Sequence, residues 1–314
     1  MKRINNRLLI ALLAGLMVLF FVVRYFRSSS LQGNLPANLT KIDSSLVTEI
    51  RIVPARMKEE VQLLKNGSKW ELASGQLKGH LEEGAGYTTL RSLMSLKPQR
   101  LISKKKEKWK DFGVSDSTGT HVKILAGKDV EADIVIGRTG FSASSGGVFS
   151  GSAYTFVRRF DETEVYAVEG FLESQFNRGF NDWRDKSFLR LKRDSVNRIE
   201  FVYPADSSFS LIKTDGKWML SGMPADSSAV VTFVNSLEYK NIGTFAPSQP
   251  SGEPPVKINF YKDAKPLANV EGWPGIPDWV LRSTHQPDTW FSNEAVAIRK
   301  DLFRSKKSFQ KGKK

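Results

Sequence analysis

The sequence predicts an α+β fold of two tandem repeat domains, each mainly an antiparallel sheet with few helices, preceded by one transmembrane helix. Three observations predict it. Residues 47–53 (VTEIRIV) recur as 196–202 (VNRIEFV) with the same alternation of apolar side chains. Residues 63–72 recur as 211–220, and residues 8–23 form an unbroken apolar run. Recurring segments are typical of duplicated strands, and the apolar run is typical of a membrane helix.

The repeat continues along the chain and covers a whole domain. Trp70 and Trp218 hold the same place in the two copies, and each follows a hairpin signal, Asn66-Gly67 or Asp215-Gly216. The later correspondences join 122–124 to 256–258, 134–137 to 269–272 and 165–167 to 290–292. Because the apolar residues are kept while the polar residues differ, the duplication favours packing and surface shape over a catalytic centre. It predicts a scaffold or binding role.

The apolar run 8–23 lies between Arg7 and Arg24 and predicts an uncleaved membrane anchor over residues 1–27. The run is slightly shorter than the ~20 residues that a spanning helix needs, but the flanking arginines can extend toward the interface. A cleaved signal peptide is the alternative. Cleavage is disfavoured because Arg24 follows the apolar core directly and residues 28–30 are the only cluster of small residues behind it.

Basic residues orient this anchor. Lys2, Arg3 and Arg7 precede the apolar run, whereas Arg24 and Arg27 follow it. The positive-inside rule keeps the more basic side in the cytoplasm. The expected location is the inner membrane, as a single-pass protein with a cytoplasmic N-terminus and a periplasmic main body. The chain contains no cysteine, which suits an oxidising compartment.

The net charge of +14 raises the question of a nucleic-acid partner. Most of the excess positive charge lies in residues 1–27 and 299–314, and the body between them is nearly neutral. Such a body lacks the charged face that counterion release from phosphates requires. We therefore expect no nucleic-acid partner.

Composition predicts the domain boundaries. Residues 28–45 combine Ser, Asn, Gly and Pro and predict a linker. Repeat domain 1 is expected at 46–180 and repeat domain 2 at 196–303, joined by an interdomain linker at 181–195. Residues 304–314 are basic with few large apolar side chains, so self-burial cannot offset the ~1–2 kcal/mol per residue of backbone ordering. They predict a disordered tail that either remains free or docks on an anionic membrane or an acidic partner.

Each copy is predicted to contain three strands, a helix, four strands and a short final helix. The apolar side of the first copy's helix comprises Tyr87, Leu90, Leu93, Met94 and Leu96. That of the second copy's helix comprises Val230, Val231, Val234 and Leu237, and Asp226 is expected to cap this helix. Residues 142–152 are rich in Gly and Ser and predict a mobile loop between two strands.

No residue pattern predicts a catalytic, cofactor or metal site. His80, His121 and His285 lie in different elements, and none has a carboxylate or a second histidine at ligand spacing. The sequence contains no glycine-rich phosphate-binding motif, so any use of ATP belongs to a partner. The expectation is no catalytic residue, no metal and no cofactor.

The densest polar and aromatic cluster lies between the copies at residues 181–189, and its candidate residues are four, Trp183, Arg184, Asp185 and Lys186. We expect an interdomain clasp, in which Arg184 pairs with Asp182 or Asp185 while Trp183 packs under the second domain. These four residues are, together with Trp70 and Trp218, the structural or interaction candidates of the chain.

The order of these motifs resembles a known family. The tandem strands V-x-x-I-x-I and L-x-K-x-x-G/K-x-W-x-L, the strand ending at Ile136-Gly137, the strand Tyr166-Ala167-Val168 and the segment 183–186 are similar to those of the bacterial domain-of-unknown-function 4340 family. The resemblance covers nearly all of the chain after the apolar run. It implies a membrane-anchored envelope protein associated with ABC-type transport systems, and it assigns no catalytic residue.

The expected function is therefore that of a membrane-anchored, non-catalytic binding or accessory protein of an envelope transport assembly. Its expected partners are the inner membrane and an ABC permease, its ATPase or other envelope subunits. An envelope hydrolase acting on glycan or peptide is the alternative, because paired acids such as Asp182 and Asp185, or Glu162 and Glu164, can supply a general acid and base.

Overall fold

The computed structural model describes residues 12–23, 35–55, 57, 59–141, 152–275, 278–293 and 296–311. The chain forms two compact units, which we call the first module (Met1–Arg184) and the second module (Asp185–Lys314). Each is built around a large antiparallel sheet with a few short helices. The prediction of mainly antiparallel sheets with few helices is therefore confirmed.

The first module contains one nine-stranded sheet. Its strands are β1 (Glu49–Val53), β2 (Val61–Asn66), β3 (Lys69–Ser74), β4 (Leu77–Gly79), β5 (Pro98–Ser103), β6 (Thr120–Ala126), β7 (Asp129–Phe141), β8 (Ala153–Arg159) and β9 (Val165–Glu169). Its helices are α1 (12–23), α2 (Ala85–Met94), α3 (Trp109–Phe112), α4 (Leu172–Phe176) and α5 (Phe180–Trp183). The strand order is β4-β3-β2-β1-β6-β7-β8-β9-β5.

The second module contains an eight-stranded sheet and a two-stranded one. Its strands are β10 (Ser187–Arg190), β11 (Arg198–Val202), β12 (Phe209–Thr214), β13 (Lys217–Leu220), β14 (Met223–Pro224), β15 (Tyr239–Asn241), β16 (Val256–Lys262), β17 (Lys265–Trp273), β18 (Trp279–Ser283) and β19 (Gln286–Asn293). Its helices are α6 (Ser227–Asn235), α7 (Val296–Leu302) and a 3-10 turn (Lys306–Phe309). The large sheet has the order β14-β13-β12-β11-β16-β17-β18-β19.

The two large sheets share one topology. The order β4-β3-β2-β1-β6-β7-β8-β9 matches β14-β13-β12-β11-β16-β17-β18-β19 strand for strand, and a helix, α2 or α6, follows the fourth strand in each. They differ in the strand after that helix. In the first module β5 joins the sheet beside β9, whereas in the second module β15 pairs with β10. The repeat seen in the sequence is thus a repeat of topology.

Strand pairing identifies the equivalent residues of the two copies. Because β1 and β11 align residue by residue, their partners on β6 and β16 are equivalent, which matches Val122 with Ile258 rather than with Val256. The next pairing matches Ile134 with Val270, one residue from the sequence-based alignment. The alignment slipped here because the connections before these strands differ in length and no tryptophan fixes the register.

Tight turns close the first hairpin of each copy. In the second copy the turn is Asp215-Gly216, as predicted, and both residues have positive φ, 47° and 77°. In the first copy Asn66 pairs with Lys69, so the turn is Gly67-Ser68, one residue later than predicted. Gly67 has a φ of 60°, a conformation that glycine adopts at little cost.

Helices α2 and α6 cover the inner faces of their sheets. The predicted core positions that are buried are Leu90, Leu93, Leu96, Val230, Val234 and Leu237. Tyr87, Met94 and Val231 are exposed, because the buried stripe of each helix is narrower than its apolar sequence pattern. Asp226 caps α6 as predicted, since its carboxylate accepts the backbone N–H groups of Ser228 and Ala229.

Helix α1 lies within the apolar run near the N-terminus, and its large apolar side chains are exposed. Over the residues given above, no helix is long and apolar enough to cross a membrane. The predicted span 8–23 extends beyond the described residues, because residues 8–11 are not among them. The predicted mobile loop 142–152 also lies outside them, apart from its last residue.

The end of the predicted linker 28–45 packs on the first module. Leu39 is buried and donates its backbone N–H to the Leu96 carbonyl oxygen at 2.8 Å. Arg159 donates from Nε to the Leu39 carbonyl oxygen at 2.7 Å. Residues 35–45 therefore differ from a free linker, because their apolar side chains pack in the module's core; these are Leu35, Leu39 and Ile42. Residues 28–34 lie outside the described part of the chain.

Residues 304–311, predicted as the start of a disordered tail, are ordered in the second module. Phe309 is only 1% exposed, and Asp226 donates its backbone N–H to the Phe309 carbonyl oxygen at 2.9 Å. Gln310 forms an isolated β-bridge with Ala225. The structure differs from the prediction because the segment buries its aromatic ring in the core of the second module rather than within itself.

The same arrangement closes the first module. Trp183, also 1% exposed, holds the place of Phe309. Glu82 donates its backbone N–H to the Trp183 carbonyl oxygen at 3.1 Å, and Leu81 forms a β-bridge with Arg184. Helix α5 and the 3-10 turn are therefore equivalent elements. We call Trp183 and Phe309 the closing aromatic residues.

Trp70 and Trp218 should contribute unequally to stability. Trp218 is buried, whereas Trp70 is partly exposed on the edge of the first core, where it lies against Gly86 of α2. Trp218→Ala should lower the free energy of unfolding by about 3–5 kcal/mol, the usual cost of deleting a buried aromatic ring, and Trp70→Ala by less. Urea unfolding measures both, and melting temperatures equal to that of the wild type would assign both residues to the surface.

Candidate functional site

The outer face of the first sheet, opposite α2, is partly covered by the connection between β5 and β6. Helix α3 and the residues after it place Trp109 and Val114 on this face. A small second core results, formed by Trp109, Val114, Val135, Phe156 and Val165. Strand side chains alternate between faces, so this core is separate from the main core beneath α2.

Arg158 of β8 lies within this covered face, and its side chain is 0% exposed. Its guanidinium carbon lies 3.7 Å from the centre of the Trp109 ring. It donates from Nε to the Val114 carbonyl oxygen at 3.1 Å and from Nη2 to Asp116 at 2.7 Å. Burial lowers the pKa of the Arg158 guanidinium, an effect that the Asp116 carboxylate opposes. The connection therefore supplies the stacking and the charge that a buried arginine requires.

Over the described residues of the second module, no second apolar core of this kind lies on the equivalent face of the sheet. Strand pairing matches Arg158 with Arg282. The apolar residues Val135, Phe156 and Val165 correspond to Glu271, Val280 and Trp290, none of which is fully buried. The polar and aromatic residues of this face are Arg198, Glu200, Asn259, Tyr261, Glu271, Arg282 and Trp290, which we call the open face.

An ion pair and two aromatic rings hold Arg282 in place on the open face. It donates from Nε to Glu271 Oε2 at 2.8 Å, and its guanidinium carbon lies 4.7 Å from the centre of the Trp290 ring and 5.6 Å from that of Trp273. Its side chain is 32% exposed, against 0% for Arg158. Glu271 and the two tryptophans thus replace the contacts that Asp116 and Trp109 make in the first module, and Arg282 stays accessible.

A second polar group extends the open face across β11 and β16. Glu200 is paired with Arg198, and the Arg198 guanidinium lies over the Tyr261 ring at 4.8 Å. Burial alone would raise the pKa of Glu200, but hydrogen bonds from Arg198, Tyr261 and Asn259 outweigh it, and the pKa of Glu200 is lowered. These side chains are therefore held in fixed positions before any partner binds.

The open face ends at a shallow depression on the β12–β13 hairpin. Ile212, Lys217 and Met219 line it, and Ile212 is exposed. The face therefore combines Trp, Tyr and Arg side chains with an apolar margin. This composition is typical of protein interfaces, where these three residue types supply most of the binding energy.

The predicted interdomain cluster is divided between the two modules. Trp183 packs in the core of the first module, not under the second, and the Arg178 guanidinium lies 3.9 Å from its ring centre. Arg184 donates to the Asn181 side chain at 3.4 Å. Asp185 accepts the backbone N–H of Ser187, and the Lys186 carbonyl oxygen accepts that of Ile242. Each residue thus serves the local structure of its own module.

The carboxylates considered for the hydrolase alternative make local contacts. Asp182 accepts the backbone N–H of Gly179 at the start of α5. Glu162 pairs with Arg159 at 2.6 Å, and Glu164 accepts from the Thr163 hydroxyl at 3.3 Å. Helix capping, an ion pair and a local hydrogen bond thus account for the contacts of these carboxylates.

His121 differs from the sequence expectation because the hairpin β6–β7 places Asp133 beside it. The two side chains form a hydrogen bond, and the imidazole stacks on Phe160 at 4.5 Å between ring centres. Within the described ranges, no group of three or more His, Asp and Glu side chains could hold a metal ion.

The sequence analysis did not identify Arg282 as an important residue. Arg158 and Arg282 are equivalent, but the lengths of the connections around them differ, so the repeat alignment did not join them. The spacing from each arginine to the next aligned aromatic residue could have shown that the two arginines are equivalent. Arg158 precedes Tyr166, and Arg282 precedes Phe291, by nearly the same number of residues.

Comparison with known proteins identifies the family. The family model described as "Domain of unknown function (DUF4340)" matches residues 70–257, which is more than half of the chain. No curated protein and no solved structure matches. The match begins at Trp70 in β3 and ends in β16, so it includes parts of both modules. The family resemblance drawn from the motifs is thereby confirmed, and the chain belongs to the DUF4340 family.

Proposed function

We propose that this protein is a membrane-anchored, non-catalytic binding or accessory subunit of an envelope transport assembly, and that the open face of the second module is its docking surface. The observation that carries the proposal is the contrast between the two copies. The first module covers its equivalent face with its own chain, whereas the second leaves Arg282, Trp290 and Tyr261 partly exposed. A duplicated sheet that loses its cover can offer that face to another protein.

The anchor is supported by the N-terminal helix. The side chains of α1 are apolar on every side, and all of its large ones are exposed. Such a helix is unfavourable in water and favourable in lipid or against another apolar helix. The basic residues before it favour a cytoplasmic N-terminus and a periplasmic main body.

The non-catalytic assignment is supported by the way in which the polar side chains are used. The ion pairs of the open face, Arg198 with Glu200 and Arg282 with Glu271, lie on the outer surface of a sheet, and they line neither the depression on the β12–β13 hairpin nor the polar cleft between α2 and α4 of the first module. Flat, preorganised surfaces suit protein docking better than catalysis, which requires a concave site that excludes water. The role in ABC-type transport follows the resemblance noted from the sequence motifs and names a permease or its ATPase as the partner to test.

The proposal predicts that Arg282→Ala weakens the assembly without unfolding the protein. Loss of an aromatic-flanked arginine from an interface centre typically costs ~2 kcal/mol or more, which corresponds to about 30-fold weaker binding. Tagged full-length protein should be found in the membrane fraction and should copurify with the transporter subunits. Arg282→Ala should reduce this copurification. The circular dichroism spectrum and the melting temperature of the variant should stay close to those of the wild type.

Arg51→Ala is the matched control. Arg51 belongs to a comparable sheet-surface ion pair, with Glu49, on the first module. Equal copurification of the Arg282→Ala and Arg51→Ala proteins would contradict docking through the open face. A soluble product starting near residue 30 would contradict the anchor.

A further inference from the structure

A polar cleft lies on the first module between the start of α2 and the end of α4. Its cavity volume is about 500 Å³. Its polar lining is formed mainly by Glu82, Glu83, Thr88, Ser92, Gln175 and Arg178. It is distinct from the open face, which belongs to the second module.

Arg178 is fixed at one side of this cleft. Its Nε donates to the Gln175 carbonyl oxygen at 2.8 Å, and its guanidinium lies 3.9 Å from the ring centre of the buried Trp183. Burial lowers the pKa of the Arg178 guanidinium, and the nearby charges of Glu82 and Asp182 oppose this effect. Among the residues that the structure describes, however, no direct ion pair or further hydrogen bond holds its two Nη atoms. A rigid guanidinium with both terminal nitrogens available is the geometry that binds a carboxylate through two parallel hydrogen bonds.

The second copy has an arginine at the same place, and there it is neutralised. Arg304 also donates from Nε to the carbonyl oxygen three residues earlier, that of Asp301, at 3.3 Å. The Asp301 side chain then pairs with Arg304 Nη2 at 3.5 Å. The equivalent of Asp301 in the first module is the neutral Gln175, whose side chain instead donates to Ser92 at 3.0 Å.

The second copy carries aromatic residues at two positions where the first copy has polar ones. At the place of Thr89, which lines the cleft of the first module, α6 carries the buried Phe233. At the place of Asn177, the second module carries Phe303, which packs against its core. The first copy thus has small or polar groups and an arginine without a direct ion pair where the second copy has aromatic rings and an ion pair.

We propose that the cleft binds a small ligand that carries both a carboxylate and several hydroxyl groups, that is, an acidic sugar. The ligand carboxylate pairs with the Nη atoms of Arg178. Its hydroxyl groups donate to Glu82 and Glu83, and Thr88 and Ser92 can both donate and accept. The two glutamates repel any anion, and a simple anion has no hydroxyl group to offset this repulsion, whereas the hydroxyl groups of an acidic sugar do so by donating to the same carboxylates. A neutral sugar leaves Arg178 unpaired.

Gln175→Asp tests the proposal, because it copies the ion pair of the second module into the first. The new carboxylate should occupy Arg178 and exclude the ligand while keeping the fold. With D-glucuronate as the probe and the full-length protein in detergent, calorimetry should give saturable binding to the wild type, and Gln175→Asp and Arg178→Gln should each weaken it at least about tenfold. Acetate and D-glucose should bind more weakly than glucuronate.

Arg304→Gln is the matched control, and it should leave glucuronate binding unchanged. Melting temperatures separate loss of the site from loss of the fold, and Gln175→Asp should not lower them. Absence of saturable glucuronate binding to the wild type would overturn the proposal. Equal affinity for glucuronate in the wild-type and Gln175→Asp proteins would overturn it too, as would equal affinity of the wild type for glucuronate and glucose. None of these outcomes depends on docking through the open face.

Discussion

Replacing a closing aromatic residue by alanine should destabilise its module by about 3–5 kcal/mol, which is the usual cost of deleting a large buried ring. Phe309 lies 5.5–5.6 Å, between ring centres, from Phe201 and Phe233. Its loss leaves a cavity in the middle of an aromatic cluster that the surrounding sheet and helix cannot collapse to fill. Trp183 is equally buried in the first module, so Trp183→Ala should have an effect of similar size.

Chemical denaturation followed by tryptophan fluorescence would measure both changes. Phe309→Ala should move the unfolding transition of the second module and leave that of the first unchanged, and Trp183→Ala should do the reverse. Lys307→Ala is the control, because Lys307 is exposed in the same segment as Phe309. A Phe309→Ala protein as stable as the Lys307→Ala protein would mean that the segment does not close the core.

Arg158→Ala should lower the free energy of unfolding by about 3–5 kcal/mol, because it truncates a large, fully buried side chain and leaves backbone carbonyl oxygens without donors, although its partner Asp116 is mostly exposed. The substitution removes the bonds to Asp116 and to the carbonyl oxygens of Val114 and Phe160, the latter at 2.6 Å. It also opens a space beneath the Trp109 ring. Buried carbonyl groups left without donors add their own desolvation penalty.

The equivalent Arg282→Ala substitution gives the comparison. Arg282 is partly exposed, and solvent can replace its contacts, so the expected cost is below about 1 kcal/mol. Arg158→Met should recover part of the loss, because it refills the space without restoring the hydrogen bonds. If Arg158→Ala and Arg282→Ala had equal unfolding free energies, the covered face would not depend on its arginine.

Alternating strands and tight turns made most of the fold predictable. The pattern at β1 and β11 and the aligned Trp70 and Trp218 gave the duplication, because period-two burial and hairpin turns are encoded locally. The alignment of β6 and β7 with their equivalents β16 and β17 in the second copy was not encoded in this way. It depends on partners far along the chain, and local apolar patterns allow shifts of one or two residues.

The ordered end of the second module was not predictable from composition. The lysines around Phe309 made the segment resemble a solvated tail, and no neighbouring residue could bury the ring. The surface that buries it is formed by α6 and distant strands, and only the folded module brings these together. The equivalence of Phe309 with Trp183 could have revealed that the segment is ordered, but the segments that contain these two residues share few residue types. The arginine at position 178 of one segment and 304 of the other is the identical residue by which they can be aligned.

The open face was beyond the reach of the sequence for a related reason. One of its ion pairs lies within β11, and the other joins β17 to β18. Its residues include those at the positions that the first copy buries beneath α3. Recognising the open face required both the strand pairing and a comparison of the β5–β6 connection with the β15–β16 connection.

Closure of each module by its own last segment sets an order of assembly during synthesis. The chain emerges from its N-terminus, so Trp183 becomes available before β11, and the first core can be completed while the second is still being made. The second core must wait for Phe309, and until then Phe201, Phe209 and Phe233 have no ring to cover them. We therefore expect a chain truncated before Phe309 to expose these rings and to aggregate through its second module.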